Sequence, residues 1–486
     1  MKLLKDILYG VNLVSVTGNT NINIKKIEFD SRKVTNKSLF VAIDGNSEDG
    51  NKYIISAVEN GAKAIVSESI PKKYENSVTY IQVKNSRESL ALISSNFYDN
   101  PSGKLKLVGI TGTNGKTTTA TLMFQLFKLF NRKVGLISTN KIIIHDHEYE
   151  SNLTTPDPIN LNKKLFQMVE MDVEYCFMEV SSHAIDQKRI FGLNYNVGVF
   201  TNLTHDHLDY HINFSKYRDV KKIFFDFLNH NSIAIINTDD KNGDYIIQNC
   251  NSKIYSYSLK RNSNFSLKIL EKDINGMKLK INNQEIWTNL IGEFNAYNIL
   301  ATFSLAQSFD FDIEETLNNI SLLNNVEGRF ERVSNNTKNQ VGIIDYAHSP
   351  DSIEKVLKTL NEIKRENSLI TVIGCGGDRD FKKRPIMGNI VASLSDVVVF
   401  TSDNPRSEDP DQIINQMIEG VDKKDLSKVN NIVDRKSAIE FACKINGQND
   451  VILVAGKGHE KFQVFGDNRI EFDDKKILKK ILNKTT

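Results

Sequence analysis

Residues 111–119 read Thr-Gly-Thr-Asn-Gly-Lys-Thr-Thr-Thr, between the apolar run Leu-Val-Gly-Ile at 107–110 and an apolar-periodic stretch at 120–130. A strand that runs into a glycine-bearing turn and opens a helix is a trap for phosphate. Backbone N–H groups converge on the anion, and the helix N-terminus adds partial positive charge. Lys116 is placed to reach the outer phosphates, and the Thr117 hydroxyl to ligate Mg²⁺. The common Walker spacing would put a glycine at Ile110; here only Gly112 and Gly115 frame the turn. The stretch predicts an α/β fold that binds ATP or GTP.

Outward from this loop the strand–helix alternation continues. Runs at 173–180, 197–203 and 233–236 read as buried strands, each followed by a polar loop, as in a doubly wound sheet whose site lies at the strand C-termini. Shorter alternating segments at about 252–287 suggest a small antiparallel excursion. Before the loop, strands are expected at 38–43 and 64–66 with a helix at 53–61, and the turn-rich 98–103 marks a boundary. After about 329 the theme repeats, with strands at 341–344, 369–373, 397–400 and 451–454 and helices at 351–365, 384–393 and 411–420.

The chain has 486 residues, too many for one core and enough for about three domains. We expect divisions 1–100, 101–328 and 329–486. Apolar content of 40% with 25% charged residues is ordinary for a globular protein, and a net charge of +2 implies no general attraction to nucleic acid or anionic membranes. Lysine pairs such as Lys221-Lys222 and Lys475-Lys476 read as solvated faces. Four scattered cysteines without CxxC spacing fit free thiols in a reducing compartment. No signal-peptide core or membrane-spanning stretch is present, so a cytoplasmic protein without membrane insertion is expected.

Four polar groups fall at expected strand ends. Glu179, in Glu-Val-Ser-Ser-His, can hold Mg²⁺ or simply cap a helix. The loop Asn202-Leu-Thr-His-Asp-His-Leu-Asp-Tyr-His211 carries three histidines and two aspartates, suited to a metal or a phosphate-bearing substrate, or no more than a polar loop. Gly374-Cys-Gly-Gly-Asp-Arg-Asp380 places Arg379 on a backbone that can be closely approached. In Ser402-Asp-Asn-Pro-Arg406, Asp403 suits an ammonium and Arg406 a carboxylate; the two loops' charges could also pair with each other.

These motifs occur in one order with others. TGTNGKTTT, EVSSHA, TNLTHDHLDYH, GEFNAYN, EGRFERV, DYAHSPDS, GCGGDRD, SDNPRSEDP and AGKGHE span residues 111–460, and FDSRKVTNKSLFVAIDG precedes them. Together they resemble the Mur ligases over nearly the whole chain. The resemblance implies an N-terminal UDP-binding domain, a central ATPase domain and a C-terminal Rossmann-like domain for the incoming amino acid. It implies that Ser31 and Asn46 contact the UDP group. Thr154, Thr155, Ser181, Gln187 and Arg189 would hold the rest of a UDP-muramoyl-dipeptide. Gly112, Thr113, Asn114, Gly115, Lys116, Thr117 and Thr118 would cradle ATP, with Asn295 and Asn298 near adenine and Arg329 and Asp345 reaching over. Glu179, His207 and Thr117 would be Mg²⁺ ligands together with Lys221, matching the family's carbamylated lysine. Lys116, Glu179, His207 and Lys221 thus form the expected catalytic group. Glu327 stands where the family often has proline before Gly328-Arg329, and Leu153 where some members have asparagine.

The expected reaction is ATP-dependent amide formation through an acyl phosphate, in peptidoglycan biosynthesis. DNPR at 403–406 resembles the branch that adds meso-diaminopimelate rather than L-lysine. Arg379 and Arg406 would face the second carboxylate, which lysine lacks, with Asp403, Asn404, Pro405, Gly456 and Glu460 completing the pocket. A lysine-adding sibling, a folylpolyglutamate synthase-like ligase and a nucleotide switch without ligase activity are the alternatives. Only small-molecule partners are expected, and a monomer.

Overall fold

The computed structural model describes residues 1–45, 48–71, 75–206, 208–335, 340–447 and 450–484. Its central feature is an eleven-stranded sheet. Seven strands form its parallel middle, in the order Val134–Ile137, Tyr175–Glu179, Lys106–Thr111, Val197–Phe200, Ile233–Asn237, Lys253–Ser258, Phe265–Asp273. The Thr111 end of the strand Lys106–Thr111 delivers the phosphate loop, and Glu179 pairs in register with Ile110 beside it.

Side chains alternate across this sheet, as a twice-covered sheet requires. Val108, Ile110, Phe177 and Val199 enter one core with helices Lys116–Leu129 and Glu293–Ser308. Leu107, Cys176, Met178 and Phe200 enter the other with helices Pro158–Glu170 and Phe214–Asp226. Ile110 is fully buried in the first core, which accounts for an isoleucine where the Walker spacing would have glycine. That position is still strand.

The segment 252–287 contains the expected antiparallel excursion, built onto the edge of the central sheet. Lys253–Ser258 pairs parallel with both Ile233–Asn237 and Phe265–Asp273, and Gly276–Ile281 and Gln284–Thr288 then extend the same sheet antiparallel. Alternation there reflects a sheet edge covered on one face, not an independent unit.

A five-stranded sheet precedes the central one, ordered Leu13–Thr17, Thr79–Val83, Ala62–Ser67, Ser38–Val41, Lys26–Glu28, its first pairing antiparallel and the rest parallel. Helix Ser86–Phe97 packs it onto Pro158–Glu170, and Glu88 pairs with Lys188 at 3.2 Å. A six-stranded sheet follows, with Gln340–Asp345, Val451–Ala455, Leu369–Ile373 and Val397–Phe400 as its parallel centre. No helix among the described residues is long and apolar enough to cross a membrane.

Candidate active site

Gly112 has φ +151° and Gly115 φ +85°. A Cβ on Gly112 would lie 2.0 Å from Thr201 Oγ1, so only glycine lets the loop press against the neighbouring strand end. That strand end fixes the loop. The Thr113 amide donates to Asn202 O at 2.8 Å, the Asn114 amide to Asn202 Oδ1 at 2.9 Å, and Thr201 Oγ1 to Asn114 O at 2.7 Å. The helix that starts at Lys116 therefore points its N-terminus into a pre-shaped anion seat.

Lys116 Nζ donates to Gly112 O at 3.0 Å and Thr113 O at 2.8 Å, and Lys221 Nζ donates to the same Gly112 O at 2.9 Å. Two amines, the half-buried Lys116 and the buried Lys221, thus share one carbonyl oxygen. Burial lowers the pKa of Lys116, and burial together with Lys116 lowers that of Lys221 well below the ordinary lysine value. Lys221 and Lys222 are both buried, correcting their reading as a solvated face. Helix Phe214–Asp226 turns the first toward the phosphate loop, while the second pairs with Asp226 at 2.7 Å.

Glu179 Oε1 accepts the Thr139 amide at 2.7 Å, whereas Oε2 is buried without a hydrogen-bond partner. A buried carboxylate oxygen lacking a donor is what a cation would satisfy, so Glu179 fits the expected Mg²⁺ ligand. Thr117 Oγ1 accepts Arg329 Nη2 at 3.2 Å. His207 lies outside the described residues.

The five residues expected around the muramoyl-dipeptide fall into one network. Thr155 Oγ1 donates to Glu179 O at 2.7 Å and accepts the Ser181 amide at 3.1 Å; Thr139 Oγ1 donates to Thr154 Oγ1 at 3.1 Å. Arg189 donates to Thr155 O at 2.9 Å and twice to Gln187 Oε1. Thr155 is fully buried, so its hydroxyl shapes the floor under Glu179. Ser31 is buried in the short turn Ser31–Lys33, its carbonyl taking Asn60 Nδ2 at 3.0 Å. Asn46 lies outside the described residues.

On the other flank of the loop is a cavity of about 490 Å³, lined by residues that include Asn114, Gly115, Thr118, Asn295, Asn298, Arg329 and Asp345. Asn298 Oδ1 accepts Thr119 Oγ1 at 3.1 Å, and Asn298 Nδ2 donates to Asn295 Oδ1 at 3.2 Å. Arg329 stacks over the Tyr346 ring at 4.4 Å. Asp345 accepts the Phe330 and Ala347 amides at 2.6 and 2.7 Å and so braces the turn around Arg329; its burial raises its pKa.

In the last sheet, the loops after Leu369–Ile373 and Val397–Phe400 lie against each other. The Gly377 amide donates to Asn404 O at 2.9 Å, and a Cβ on Gly377 would sit 1.9 Å from Pro405 O. Arg379 and Arg406 converge over Gly376, whose Cβ position is 3.1 Å from Arg406 Nη1 and 3.9 Å from Arg379 Cγ. Asp403 Oδ1 accepts the Asn404 amide at 2.7 Å, and a Cβ on Gly456 would lie 2.8 Å from Asp403 Oδ2. Among the described residues no ion pair joins Asp403 to either arginine, and Arg406 Nη1 donates to Gly377 O at 2.5 Å. Glu460 Oε2 accepts Asn404 Nδ2 at 2.8 Å and Lys457 Nζ at 3.0 Å.

Tyr346 links the two regions: Arg329 covers its ring in the cavity, and a Cβ on Gly458, two residues before Glu460, would lie 2.7 Å from Tyr346 Cβ. Asp351 is a second link. Its Oδ2 accepts Asn114 Nδ2 at 2.8 Å and Thr204 Oγ1 at 3.2 Å. Tyr346, Asp351 and the fully buried Lys457 were missed by sequence reasoning, although DYAHSPDS and AGKGHE contain them.

Three family models match: the Mur ligase family catalytic domain at residues 23–98, the Mur ligase middle domain at 110–306, and the Mur ligase glutamate ligase domain at 328–458. The chain is 48% identical to a UDP-N-acetylmuramoyl-L-alanyl-D-glutamate–2,6-diaminopimelate ligase of Cytophaga hutchinsonii over 481 residues, 99% of each chain. The chain belongs to the Mur ligase family. A like-named ligase of Bacteroides fragilis is 47% identical to this Mur ligase over 99% of each chain. A solved structure of a ligase of that name superposes with a TM-score of 0.70 at 28% identity, covering 99% of both chains. The three-domain α/β fold class expected of a Mur ligase agrees with these neighbours.

Proposed function

We propose that this Mur ligase joins meso-2,6-diaminopimelate to the D-glutamyl residue of UDP-N-acetylmuramoyl-L-alanyl-D-glutamate, using ATP, in peptidoglycan biosynthesis. The observation that carries it is Tyr346, which lines the cavity beside the phosphate loop and packs against Gly458, in the loop whose Gly456 abuts Asp403 beside the two arginine-bearing loops.

A carboxylate does not accept an amine in water, because its leaving group would be oxide. In the proposed reaction a D-glutamyl carboxylate oxygen attacks the γ-phosphorus of ATP, and ADP leaves. The free amine of the amino acid then attacks the acyl carbon, and phosphate leaves. Lys116 exchanges its contacts with Gly112 O and Thr113 O for the transferring phosphoryl group. Arg329 and the loop amides hold the nucleotide, and Asn295 and Asn298 lie on the adenine side. Thr154, Ser181, Gln187 and Arg189 align the carboxylate, with Ser31 and Asn46 at the UDP end. Asp403 takes the amino acid's ammonium, and Arg379 and Arg406 take carboxylate, with Asn404, Pro405, Gly456 and Glu460 as framing.

Thr117, Glu179, His207 and Lys221 would hold Mg²⁺, which supplies charge neutralisation for phosphoryl transfer. Lys221 suits this role as a carbamate. Its amine shares an acceptor with Lys116, so a second ammonium there is disfavoured, and a neutral amine is the form that adds CO₂. We propose domain divisions at 100/101 and 328/329, and a monomer working in the cytoplasm, in keeping with four free cysteines.

Phosphate release should require the UDP-muramoyl-dipeptide and meso-diaminopimelate together, with L-lysine supporting at most about a hundredth of that kcat/KM, as expected when a guanidinium loses its partner. Equal turnover with lysine would overturn the substrate assignment. Hydrolysis indifferent to both co-substrates would instead favour a nucleotide switch.

A further inference from the structure

Beneath the two arginine-bearing loops lies an ion pair that would touch no substrate. Arg384, on helix Lys383–Leu394, is fully buried. Its Nη1 and Nη2 donate to Glu408 Oε2 and Oε1 at 2.7 and 2.9 Å. Nη1 also donates to Gln416 Oε1 at 2.8 Å on helix Pro410–Ile418, and Nη2 to Gly376 O at 3.2 Å. Glu408 Oε1 accepts the Asp378 amide as well, and Asp378 Oδ1 accepts Ser407 Oγ. One guanidinium and one carboxylate thus join the Gly376–Asp378 turn to the segment just after Arg406.

The backbone at this junction needs holding. Asp378 has φ +54° and Arg406 φ +52°, a left-handed conformation that non-glycine residues keep only when their surroundings impose it. Asp378 immediately precedes Arg379, so both pocket arginines depend on those two turns. A bidentate pair fixes direction as well as distance, which a single hydrogen bond does not.

We propose that the Arg384–Glu408 pair is a positioning element that sets the spacing of Arg379 and Arg406, and so selects an amino acid bearing a second, distal carboxylate. This deepens the diaminopimelate reading and rests on it. The pair is not catalytic: its effect reaches the substrate only through the two arginines.

The test uses the full-length enzyme with near-isosteric E408Q and with R384K, measuring KM for meso-diaminopimelate, KM for ATP, kcat and Tm. Positioning predicts a rise of about tenfold or more in KM for meso-diaminopimelate in E408Q, with KM for ATP within about twofold. R384K, which keeps the charge and loses the fork, should show a similar rise. The preference for meso-diaminopimelate over L-lysine should narrow in both. An unchanged KM for meso-diaminopimelate with a lowered Tm would overturn the proposal, leaving the pair a stabiliser of the fold. Failure of both variants to fold, or equal losses against all three substrates, would overturn it too. If the wild-type enzyme itself prefers L-lysine, the underlying reading fails, and diacid selection by the pair fails with it.

Discussion

The phosphate loop and the amino-acid pocket handle charge in opposite ways. Around the loop, Lys116 and Lys221 crowd one carbonyl oxygen, and Glu179 Oε2 is buried without a donor. Around the pocket, three buried cations are matched, Arg384 with Glu408, Lys457 with Glu460, and Arg435 with Asp474 at 2.8 Å, and among the described residues only Asp403 stands buried there without an ion pair. Unmatched charge is costly in a low-dielectric interior, and in the proposed reaction phosphate and Mg²⁺ would relieve it where charge develops. Matched charge adds rigidity, which a pocket that measures the length of its ligand needs.

Substitutions can break this contrast, and their expected effects descend in order. K116M should lower kcat by about 10³-fold or more, because it removes a cation needed only as phosphoryl transfer proceeds. Single-turnover phosphate release would check this, and Tm should hold or rise as a crowded charge leaves. D474A should do the reverse. It strands a fully buried guanidinium and should cost about 3–5 kcal/mol of stability in denaturant titration, with activity per folded molecule near normal. R406M should raise KM for meso-diaminopimelate with a loss of about 2–3 kcal/mol, the range for a hydrogen bond to a charged group, while KM for ATP stays fixed. Carbonate depletion should slow the wild type, and added bicarbonate should restore it; K221A should be slow and should not respond. A K221A enzyme of normal rate would remove the carbamate from the mechanism.

The smallest effect concerns pH. Burial first, then Arg329 and Lys461, push the His459 pKa down to about 3. The unfolded chain therefore binds the extra proton below about pH 6.5, while the folded one stays neutral until about pH 3. Stability contributed here is full above pH 6.5 and falls as pH drops through that window. H459Q should flatten that slope in chemical denaturation at pH 5 against pH 7, and an unchanged slope would remove His459 as its source.

The loop was legible in sequence because its parts are contiguous: an apolar strand, two glycines, a lysine and a helix signal. The strands Leu369–Ile373 and Val397–Phe400 fall on their expected spans for a similar reason, since continuous apolar runs describe twice-covered parallel strands. What was hidden depends on partners far apart. Asn114 and Asp351 are separated by 237 positions, and nothing local distinguishes Arg384 from Lys382 and Lys383 beside it, neither of which is buried. Lys221-Lys222 misled because adjacent charges look solvated, whereas successive helix positions point about 100° apart, so that one meets the loop and the other Asp226. The hairpins after residue 264 were legible as antiparallel, while alternation reports one covered face and says nothing about which sheet a strand joins.

Asp351 carries a consequence of its own. One carboxylate oxygen at the start of helix Pro350–Ile363 holds both Asn114 of the phosphate loop and Thr204 of the histidine loop. The C-terminal sheet therefore bolts onto the nucleotide seat itself rather than onto inert scaffold nearby. Seat and bolt form an interlock: outward movement of that sheet would unfasten both loops at once, and any shift of Asn114 would be felt at Asp351.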